Sequence, residues 1–503
     1  MDILGGLLHG FVVALAPANL WWCFVGCLLG TVIGVLPGLG PAATIAMLLP
    51  LTFQMNPTTA LIMLCGIYYG AKYGGSTTSI LLNVPGESAS VVTCLDGYQM
   101  AKKGRGGAAL GIAAIASFIA GTVGVVALML IAPPLAKFAL SFSSPEYFAL
   151  MSLGLAMVVL LAGKSMVKAL LAMLVGLWIA SMGTDLFTAA SRFTFGNSEL
   201  LDGIDFVVVA IGIFALGEVL GNMETREGAR MVPVPKGLRN LLPTMAELKA
   251  CRFAFLNGSV IGFLIGVLPG AGSTIASFIS YGVEKAVSKH PEKFGTGVPE
   301  GVAAPEGANN SETGGALVPL LTLGIPGSGT TAILLAALIL WGLKPGPLMI
   351  QENPDLFWGL VASMYVGNVM LLVLNLPLIP LFAQILKLPV YVLYPVIFGI
   401  SIVGVYSVSG SVFDTWMLGV FGLLGYLMRR LDYPSAPLIL GFVLGDSMER
   451  ALRQSLMMSQ GDLSILVSRP ISAVMLSLAV LILVLPLFRK ANAWRVKALE
   501  ENG

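Results

Sequence analysis

The stretch Gly34-Val35-Leu36-Pro37-Gly38 occurs a second time, unchanged, as Gly266-Val267-Leu268-Pro269-Gly270. Each copy lies in a long apolar segment and is followed two positions later by another glycine, Gly40 or Gly272. Because proline lacks a backbone N–H and glycine adds backbone freedom, each copy interrupts a helix. Interruptions at corresponding places in the two halves of an apolar chain are typical of membrane transporters built from repeats.

The composition is that of a helical membrane protein. Of the 503 residues, 56% are hydrophobic and 11% are charged, and the mean hydropathy is +0.89, whereas soluble domains carry about 25% charged residues. Only helices and closed barrels satisfy their backbone groups in lipid, and these apolar runs are far longer than barrel strands of about 10 residues. The net charge of +2 gives no indication of nucleic-acid binding.

Apolar segments long enough to cross about 30 Å of hydrocarbon alternate with shorter ones. The longer segments lie near residues 17–36, 57–73, 107–136, 145–162, 166–182, 204–222, 253–268, 355–385, 388–406, 411–428 and 470–488. The shorter ones are bounded by Gly or Pro and predict broken or re-entrant helices; they lie near 41–53, 76–84, 88–100, 272–284, 314–325, 328–342 and 434–445. Together they predict an all-α polytopic protein with about 12 transmembrane-helix equivalents.

Charge clusters suggest how the chain is divided. The stretch 223–252 carries more basic than acidic residues, and positively charged loops stay in the cytoplasm. The sequence therefore predicts a first membrane repeat over 1–222, a basic cytoplasmic linker over 223–252, a second membrane repeat over 253–488 and a cytoplasmic tail over 489–503.

A second pair of landmarks extends the repeat. Gly74-Gly75 and Asn83-Val84-Pro85-Gly86 correspond to Gly314-Gly315 and Gly324-Ile325-Pro326-Gly327, in the same order and at nearly the same separation. Each pair predicts a re-entrant hairpin. The basic cluster 102–105 follows the first hairpin, while the corresponding place in the second half is nearly free of basic residues. This opposite charge bias favours an inverted repeat.

The first landmark supplies candidate anion contacts. Glycine loops lead into helix starts in both copies, and the free N–H groups and positive dipole end of a helix start favour anions. The candidate contacts of a carboxylate substrate are Gly38, Gly40, Thr44, Gly270, Gly272, Ser273 and Thr274. The alternative is that these glycines only permit a tight bend or close helix packing.

The second landmark is rich in hydroxyl and amide groups, which suit both carboxylates and small cations. The further substrate candidates are Ser76, Thr77, Thr78, Asn83, Asn310, Ser328 and Thr330, and the candidate sodium ligands are Asn83, Asn309, Asn310, Thr313 and Thr331. The alternative for the hydroxyls is helix capping and bonding to carbonyls of the preceding turn. Lys72 either contacts substrate or extends to the interface, and Gly66, Gly70 and Gly74 predict a packing groove.

No catalytic constellation is present in the sequence. There is no HExxH, GxSxG or Walker motif, so an enzyme that hydrolyses ATP is not indicated. The two histidines are isolated, and the five cysteines form no C-x-x-C pair. Asp96, Asp185, Asp414 and Asp446 each read either as an ion ligand or as an interfacial charge. No cofactor is expected.

At the two landmarks the sequence resembles the large membrane subunit of the tripartite tricarboxylate transporters, the TctA-like family. The residues that carry the resemblance are 34–40, 69–86, 306–315 and 321–328, within a similarity that runs from about Gly30 to Asp462. The resemblance implies small residues after Asn309-Asn310, where this chain has Ser311-Glu312-Thr313. The charge of Glu312 either tunes the choice of ion or substrate or faces away from the site.

The resemblance implies a multi-pass secondary transporter of the bacterial inner membrane, not an enzyme, that imports citrate-like di- and tricarboxylates by sodium or proton symport with an elevator-like movement. It also implies two partners, a small four-span membrane subunit (TctB-like) and a periplasmic solute-binding protein (TctC-like) that delivers the substrate. The alternative is a passive anion channel built on the same repeats.

Overall fold

The computed structural model describes residues 2–36, 40–161, 165–185, 187–223, 242–378, 381–382 and 390–484, with side chains from 394 onward in the last range. Within them the chain is all-α, apart from one antiparallel pair of two-residue strands, β1 (Gly183–Thr184) and β2 (Ser191–Arg192). The predicted fold class, an all-α membrane protein, is confirmed at this level.

The helices of the first half vary widely in length. In chain order they are α1 (Ile3–Ala14), α2 (Pro17–Gly34), α3 (Pro41–Leu48), α4 (Pro57–Leu82), α5 (Thr93–Met100), α6 (Gly106–Ala139), α7 (Ser144–Leu161), α8 (Met166–Ala180), α9 (Phe206–Ala210) and α10 (Gly217–Met223). Short 3-10 turns (Leu49–Thr52, Ser88–Val91, Ser198–Leu200) and π turns (Ala101–Arg105, Ile211–Leu216) extend some of them.

The helices after α10 begin with the short α11 (Met245–Ala250), which lies near the end of the predicted linker. In chain order they continue with α12 (Arg252–Val267), α13 (Gly272–Val287), α14 (Glu300–Leu323), α15 (Gly329–Leu340), α16 (Met349–Glu352), α17 (Pro354–Asn375), α18 (Val390–Ser409), α19 (Val412–Arg430), α20 (Ser435–Met458), α21 (Ile465–Ser468) and α22 (Pro470–Val484), with a 3-10 turn at Pro291–Lys293.

Five described helical stretches are long and apolar enough to cross a membrane. They are Pro17–Gly34, Thr93–Ala139, Ser144–Leu161, Phe206–Met223 and Pro354–Asn375. Each overlaps a span predicted from the sequence. Several further apolar helices are shorter, among them α3, α12 and α15.

The chain forms two compact units, and each unit combines one segment from the first half of the chain with one from the second half. The first unit comprises Met1–Leu140 and Ile204–Asp432, and the second comprises Ser141–Gly203 and Tyr433–Gly503. The compact units therefore do not coincide with the predicted segments 1–222 and 253–488. The division of the chain into two repeats over these segments remains a prediction. Residues 224–241 of the predicted linker and the predicted tail 489–503 lie outside the described residues.

In the first unit, α2 and α4 pack through glycines. A Cβ atom on Gly30 would lie 2.8 Å from the Cα atom of Ile67, and one on Gly70 would lie 2.8 Å from the backbone nitrogen of Thr31. A side chain at either position would hold the backbones apart. Gly66 and Gly74 meet the backbone of α2 in the same way, so the predicted glycine packing groove is confirmed.

Helices α12 and α14 pack in the same manner at corresponding positions. A Cβ atom on Gly262 would lie 2.7 Å from the Cα atom of Ala308, and one on Gly315 would lie 3.0 Å from the Cα atom of Gly266. Gly30 and Gly262 hold the same place before the two copies of the opening motif. The two helix pairs are therefore held together by the same backbone contacts.

The ends of these helix pairs also correspond. Helix α4 ends at Asn83 in the left-handed conformation (φ 58°, ψ 26°), and α14 ends at Gly324 with nearly the same angles (φ 70°, ψ 25°). In the loops that follow, Gly86 packs against the Gly34 carbonyl and Gly327 against the Gly266 carbonyl. The predicted interruptions after α2 and α12 are present, because new helices begin at Pro41 and Gly272.

Three predicted short segments are wrong. Gly74-Gly75 and Gly314-Gly315 do not break their helices, so 76–84 and 314–325 belong to the long helices α4 and α14. Gly74 packs closely on α2 and Gly315 on α12, while Gly75 faces Glu87 and Gly314 faces Gly124 on α6. This close packing stabilises the helical backbone and offsets the low helix propensity of glycine. The segment 434–445 is the first part of the 24-residue α20.

In the second unit, an ionic cluster joins the hairpin loop to α20. Asp185 accepts hydrogen bonds from the backbone N–H groups of Phe187 (2.8 Å) and Thr188 (3.0 Å), and Arg453 lies 2.9 Å from its carboxylate. These N–H groups, and secondarily the arginines Arg453 and Arg192, lower the pKa of Asp185 to about 2. Asp185 is therefore a structural loop residue.

Candidate functional site

The polar residues of α4 and α14 are buried inside the first unit. Ser76, Thr77 and Thr78 on α4 are each at most 3% exposed, and Glu306 and Glu312 on α14 are 0% exposed. The polar stretch 300–313 forms the first half of α14. Polar groups are costly in such an environment unless they find partners.

Glu306 is surrounded by donors from three elements. Ser76 on α4 donates to Oε2 at 2.5 Å, Thr93 on α5 donates to Oε1, and Asn309 one turn along α14 donates to Oε2 at 3.3 Å. These hydrogen bonds connect α4 and α5 of the first half to α14 of the second half. Ser76 therefore lies in the polar cluster around Glu306.

Asn310 extends this cluster toward α6. Its amide nitrogen donates to the Ser117 hydroxyl at 2.8 Å and to the Asn309 side-chain oxygen at 2.5 Å. Thr313 lies on the next turn and donates to the Asn309 carbonyl at 3.4 Å. Three of the predicted sodium ligands, Asn309, Asn310 and Thr313, are thus neighbours on one buried helix.

Glu312 points into the buried interior and not away from it. Tyr68 donates its hydroxyl to Glu312 Oε2 at 3.3 Å and lies 3.5 Å from the Ser328 hydroxyl. Oε1 of Glu312 is buried and has no hydrogen-bond partner among the described residues. Ser328 caps α15 by exchanging hydrogen bonds with Thr331, so both hydroxyl groups have a structural role at the start of this helix. Thr330 is buried beside them.

A buried ion pair lies next to the start of α13. Lys72 Nζ is 3.3 Å from Glu87 Oε2, with both side chains almost fully buried, and it also donates to the Ser273 hydroxyl. Thr274 donates to the Ser88 hydroxyl at 2.9 Å. The predicted contacts Ser273 and Thr274 therefore face the loop that follows α4.

The glycines of the first landmark have mainly a backbone role where they are described. Gly270 (φ 80°) and Gly272 (φ 63°) adopt the left-handed conformation, and Gly270 donates its N–H to the Gly327 carbonyl at 2.8 Å. Gly40 is the N-cap residue just before α3, and the Thr44 hydroxyl donates to the Gly40 carbonyl at 3.0 Å. Gly38 lies outside the described residues.

The remaining candidates are placed differently. Asn83 is exposed at the end of α4, and no hydrogen bond joins its side chain to the described residues of the polar cluster. Thr78 donates to the backbone carbonyls of Gly75 and Val35.

Thr77 borders a small cavity together with Tyr73, Ser76, Ser117 and Asn375. Oδ1 of Asn375 is buried there without a hydrogen-bond partner in the described part of the chain.

Sequence reasoning missed Glu306, Glu87 and Thr93 as members of the cluster. The signal for Glu306 was available, because Glu306, Asn309, Asn310 and Thr313 recur at helical spacing and share one face. Asp96, considered as an ion ligand, is instead a loop anchor: it accepts hydrogen bonds from the backbone N–H groups of Gly295, Gly297 and Val298 and from Tyr281.

Comparison with known proteins identifies the family. Residues 20–440 match the profile of the family described as "Tripartite tricarboxylate transporter TctA family". The chain is 48% identical over 502 residues, covering the whole of both chains, to the Agrobacterium vitis protein named "Uncharacterized 52.8 kDa protein in TAR-I ttuC' 3'region". It is 44% identical over 241 residues, 48% of this chain and all of the relative, to the Agrobacterium vitis "Uncharacterized protein in TAR-II ttuC' 3'region". No solved structure matches the chain. The chain, a membrane protein with a buried polar cluster between two similarly built helix pairs, belongs to the TctA family of tripartite tricarboxylate transporters.

Proposed function

We propose that this protein is an ion-coupled secondary transporter that imports citrate-like di- and tricarboxylates. Family membership supports the transport of carboxylates. The observation that carries the proposal is the buried cluster of hydroxyl, amide and carboxyl groups around Glu306 and Asn310, which joins α4 and α5 to α14. Buried polar groups within a membrane region are costly and mark ion and substrate pathways.

The corresponding helix pairs support alternating access by two repeats. Pairs α2–α4 and α12–α14 share their glycine contacts, their left-handed ends and their following Pro-Gly loops. In transporters with inverted repeats, substrate and ions bind between discontinuous helices near mid-membrane. We assign the same arrangement here, with an inverted relation of the two halves and an elevator-like movement.

Coupling by sodium or by protons fits the same cluster. Asn309, Asn310 and Thr313 offer neutral oxygens of the kind that sodium takes, with Thr331 and Asn83 as further candidates from the sequence. Glu306 and Glu312 offer carboxyl groups that carry protons in transporters. Among the described residues no group of three or more His, Cys, Asp or Glu is arranged to hold a metal ion.

The family name implies a tripartite assembly. We propose that the chain works in the bacterial inner membrane as the large, multi-pass subunit. Its partners would be a small four-span membrane subunit and a periplasmic binding protein that delivers the substrate. Much of the choice among carboxylates then rests with the binding protein.

Uptake assays test the proposal directly. The chain, co-reconstituted with its two partner subunits, is given labelled citrate, succinate, malate and tartrate with and without a sodium or pH gradient. Uptake should saturate, require the gradient and require the binding protein. Flux that rises linearly with concentration and ignores the gradient would establish the channel alternative.

An asparagine pair supplies a matched test of the site. Asn310→Ala removes the amide that links α14 to Ser117 and should abolish gradient-driven uptake. Asn353→Ala, at the start of α17, removes a side chain that makes no capping hydrogen bond and should leave uptake unchanged. Normal uptake by the Asn310 variant would refute the assignment of this cluster.

A further inference from the structure

Lys72 is a fully buried cation at the meeting point of three elements. It is 1% exposed and lies on α4, with the ring of Tyr68 5.5 Å from its Nζ atom. The same Nζ atom is 3.3 Å from Glu87 Oε2 and donates to Ser273 at the start of α13. Elements from both halves of the chain therefore converge on one ammonium group.

The Lys72–Glu87 pair is poorly suited to a purely structural role. Removing two charges from water costs more than their attraction returns unless further hydrogen bonds satisfy them. Glu87 is 6% exposed, and its Oε1 atom has no hydrogen-bond partner within the described part of the chain. One oxygen of this buried carboxylate therefore has no hydrogen-bond partner among the described residues, which is a cost to stability.

The surroundings of the pair match those of a carboxylate site. Glu87 lies in the loop that follows α4, and the next residue, Ser88, accepts a hydrogen bond from Thr274 at 2.9 Å. The hydroxyls of Ser273 and Thr274 and the N-terminal end of the 16-residue α13 therefore lie beside the loop that carries Glu87. Ammonium, hydroxyl and helix-start N–H groups are the donors that carboxylates prefer.

We propose that Lys72 binds a carboxylate group of the transported anion and that Glu87 occupies this position while the site is empty. The inference rests on the transport function proposed above. Exchange of one carboxylate for another keeps Lys72 neutralised throughout, whereas departure of Glu87 without a replacement leaves a buried, uncompensated charge. Glu87 then competes with the transported anion for Lys72. Anions can replace it there, and neutral solutes cannot.

Single and double variants test the proposal through the half-saturating concentration for uptake. The probe is whichever of labelled citrate, succinate, malate and tartrate the wild-type assembly takes up fastest. Lys72→Gln should raise the half-saturating concentration by about tenfold or more, the effect of losing a charge-assisted hydrogen bond. Glu87→Gln should lower it severalfold, because the internal competitor is lost, and should have no such effect when combined with Lys72→Gln.

Matched controls use an exposed lysine and an exposed glutamate. Lys102→Gln and Glu292→Gln should leave the half-saturating concentration unchanged. If Lys72→Gln does not yield a monodisperse protein, the Glu87→Gln variant alone decides. A fall in its half-saturating concentration supports the proposal, and no change or a rise in that concentration overturns it. Unaltered uptake by a folded Lys72→Gln protein also overturns it.

The two proposals fail in different ways. If the wild-type assembly takes up none of the four carboxylates, the proposed transport function is refuted and this inference falls with it. If the wild type transports one of them and Glu87→Gln does not lower the half-saturating concentration, only the role of Lys72 and Glu87 is refuted.

Discussion

Replacing Gly262 by alanine should destabilise the packing of α12 on α14. The added Cβ atom would lie 2.7 Å from the Cα atom of Ala308, where ordinary contact begins at 3.4 Å. The carbonyl oxygen of Ala308 would lie closer still, so the helices must separate by at least about 0.7 Å at this point. A gap of 0.5–1 Å forfeits about a quarter to a half of each dispersion contact across it. A backbone atom cannot rotate away from the clash as a side chain can.

The expected magnitude follows from two opposing effects. Overpacking a close contact costs about 1–3 kcal/mol. Alanine in place of a helical glycine returns about 0.5–1 kcal/mol. Because the clash is with backbone on a rigid partner, we expect a net loss of about 2 kcal/mol in the free energy of unfolding.

Gly282 on α13 provides a matched control. It is an exposed helical glycine, and a Cβ atom there would meet nothing within 4 Å. Gly282→Ala should therefore leave stability unchanged or raise it by up to about 1 kcal/mol. Thermal unfolding of the purified proteins in the same detergent measures the difference. If Gly262→Ala unfolds at or above the temperature of Gly282→Ala, the glycine contact is not close in solution and the reasoning is refuted.

Three further predictions concern buried carboxylates. Glu306→Ala leaves three buried donors without their acceptor, and each unsatisfied donor should cost about 1–3 kcal/mol in the free energy of unfolding. The variant should therefore unfold at a much lower temperature than Glu300→Ala, a control at the start of the same helix. Equal unfolding temperatures would contradict this prediction. Asp96→Ala should speed hydrogen exchange of the backbone amides of Gly295, Gly297 and Val298, which donate to this carboxylate, while Asp355→Ala should not. Asp185, whose pKa is lowered to about 2, stabilises the native state above about pH 4 and loses this effect as the pH falls toward 2. The stability difference between wild type and Asp185→Asn, followed by thermal unfolding, should shrink over that range, and a constant difference would refute the role of the charge.

The sequence predicted the features that depend on local chemistry. Composition and long apolar runs identified a helical membrane protein, and the Pro-Gly motifs marked the breaks after α2 and α12. The four-residue spacing of Gly66, Gly70 and Gly74 indicated a packing groove, because that spacing places small residues on one helix face. These signals need only neighbours along the chain.

Continuity of the long helices could not be predicted from the same signals. Gly74-Gly75 and Gly314-Gly315 have low helix propensity, yet both lie inside continuous helices. Gly74 is held against α2, Gly315 against α12 and Gly314 against α6, and this packing outweighs the local cost of glycine. The partners of the polar residues in the first half of α14 could not be predicted from local signals either, because they lie on α4, α5 and α6.

What the sequence by itself determined is therefore the class of protein, the places where helices break and the duplication of the glycine motifs. The tertiary structure alone decided which polar groups meet: Glu306 with Ser76 and Thr93, and Lys72 with Glu87 and Ser273. The physical reason is that hydroxyl, amide and charged groups find buried partners through long-range packing of the two halves, and no spacing along one chain specifies those pairs.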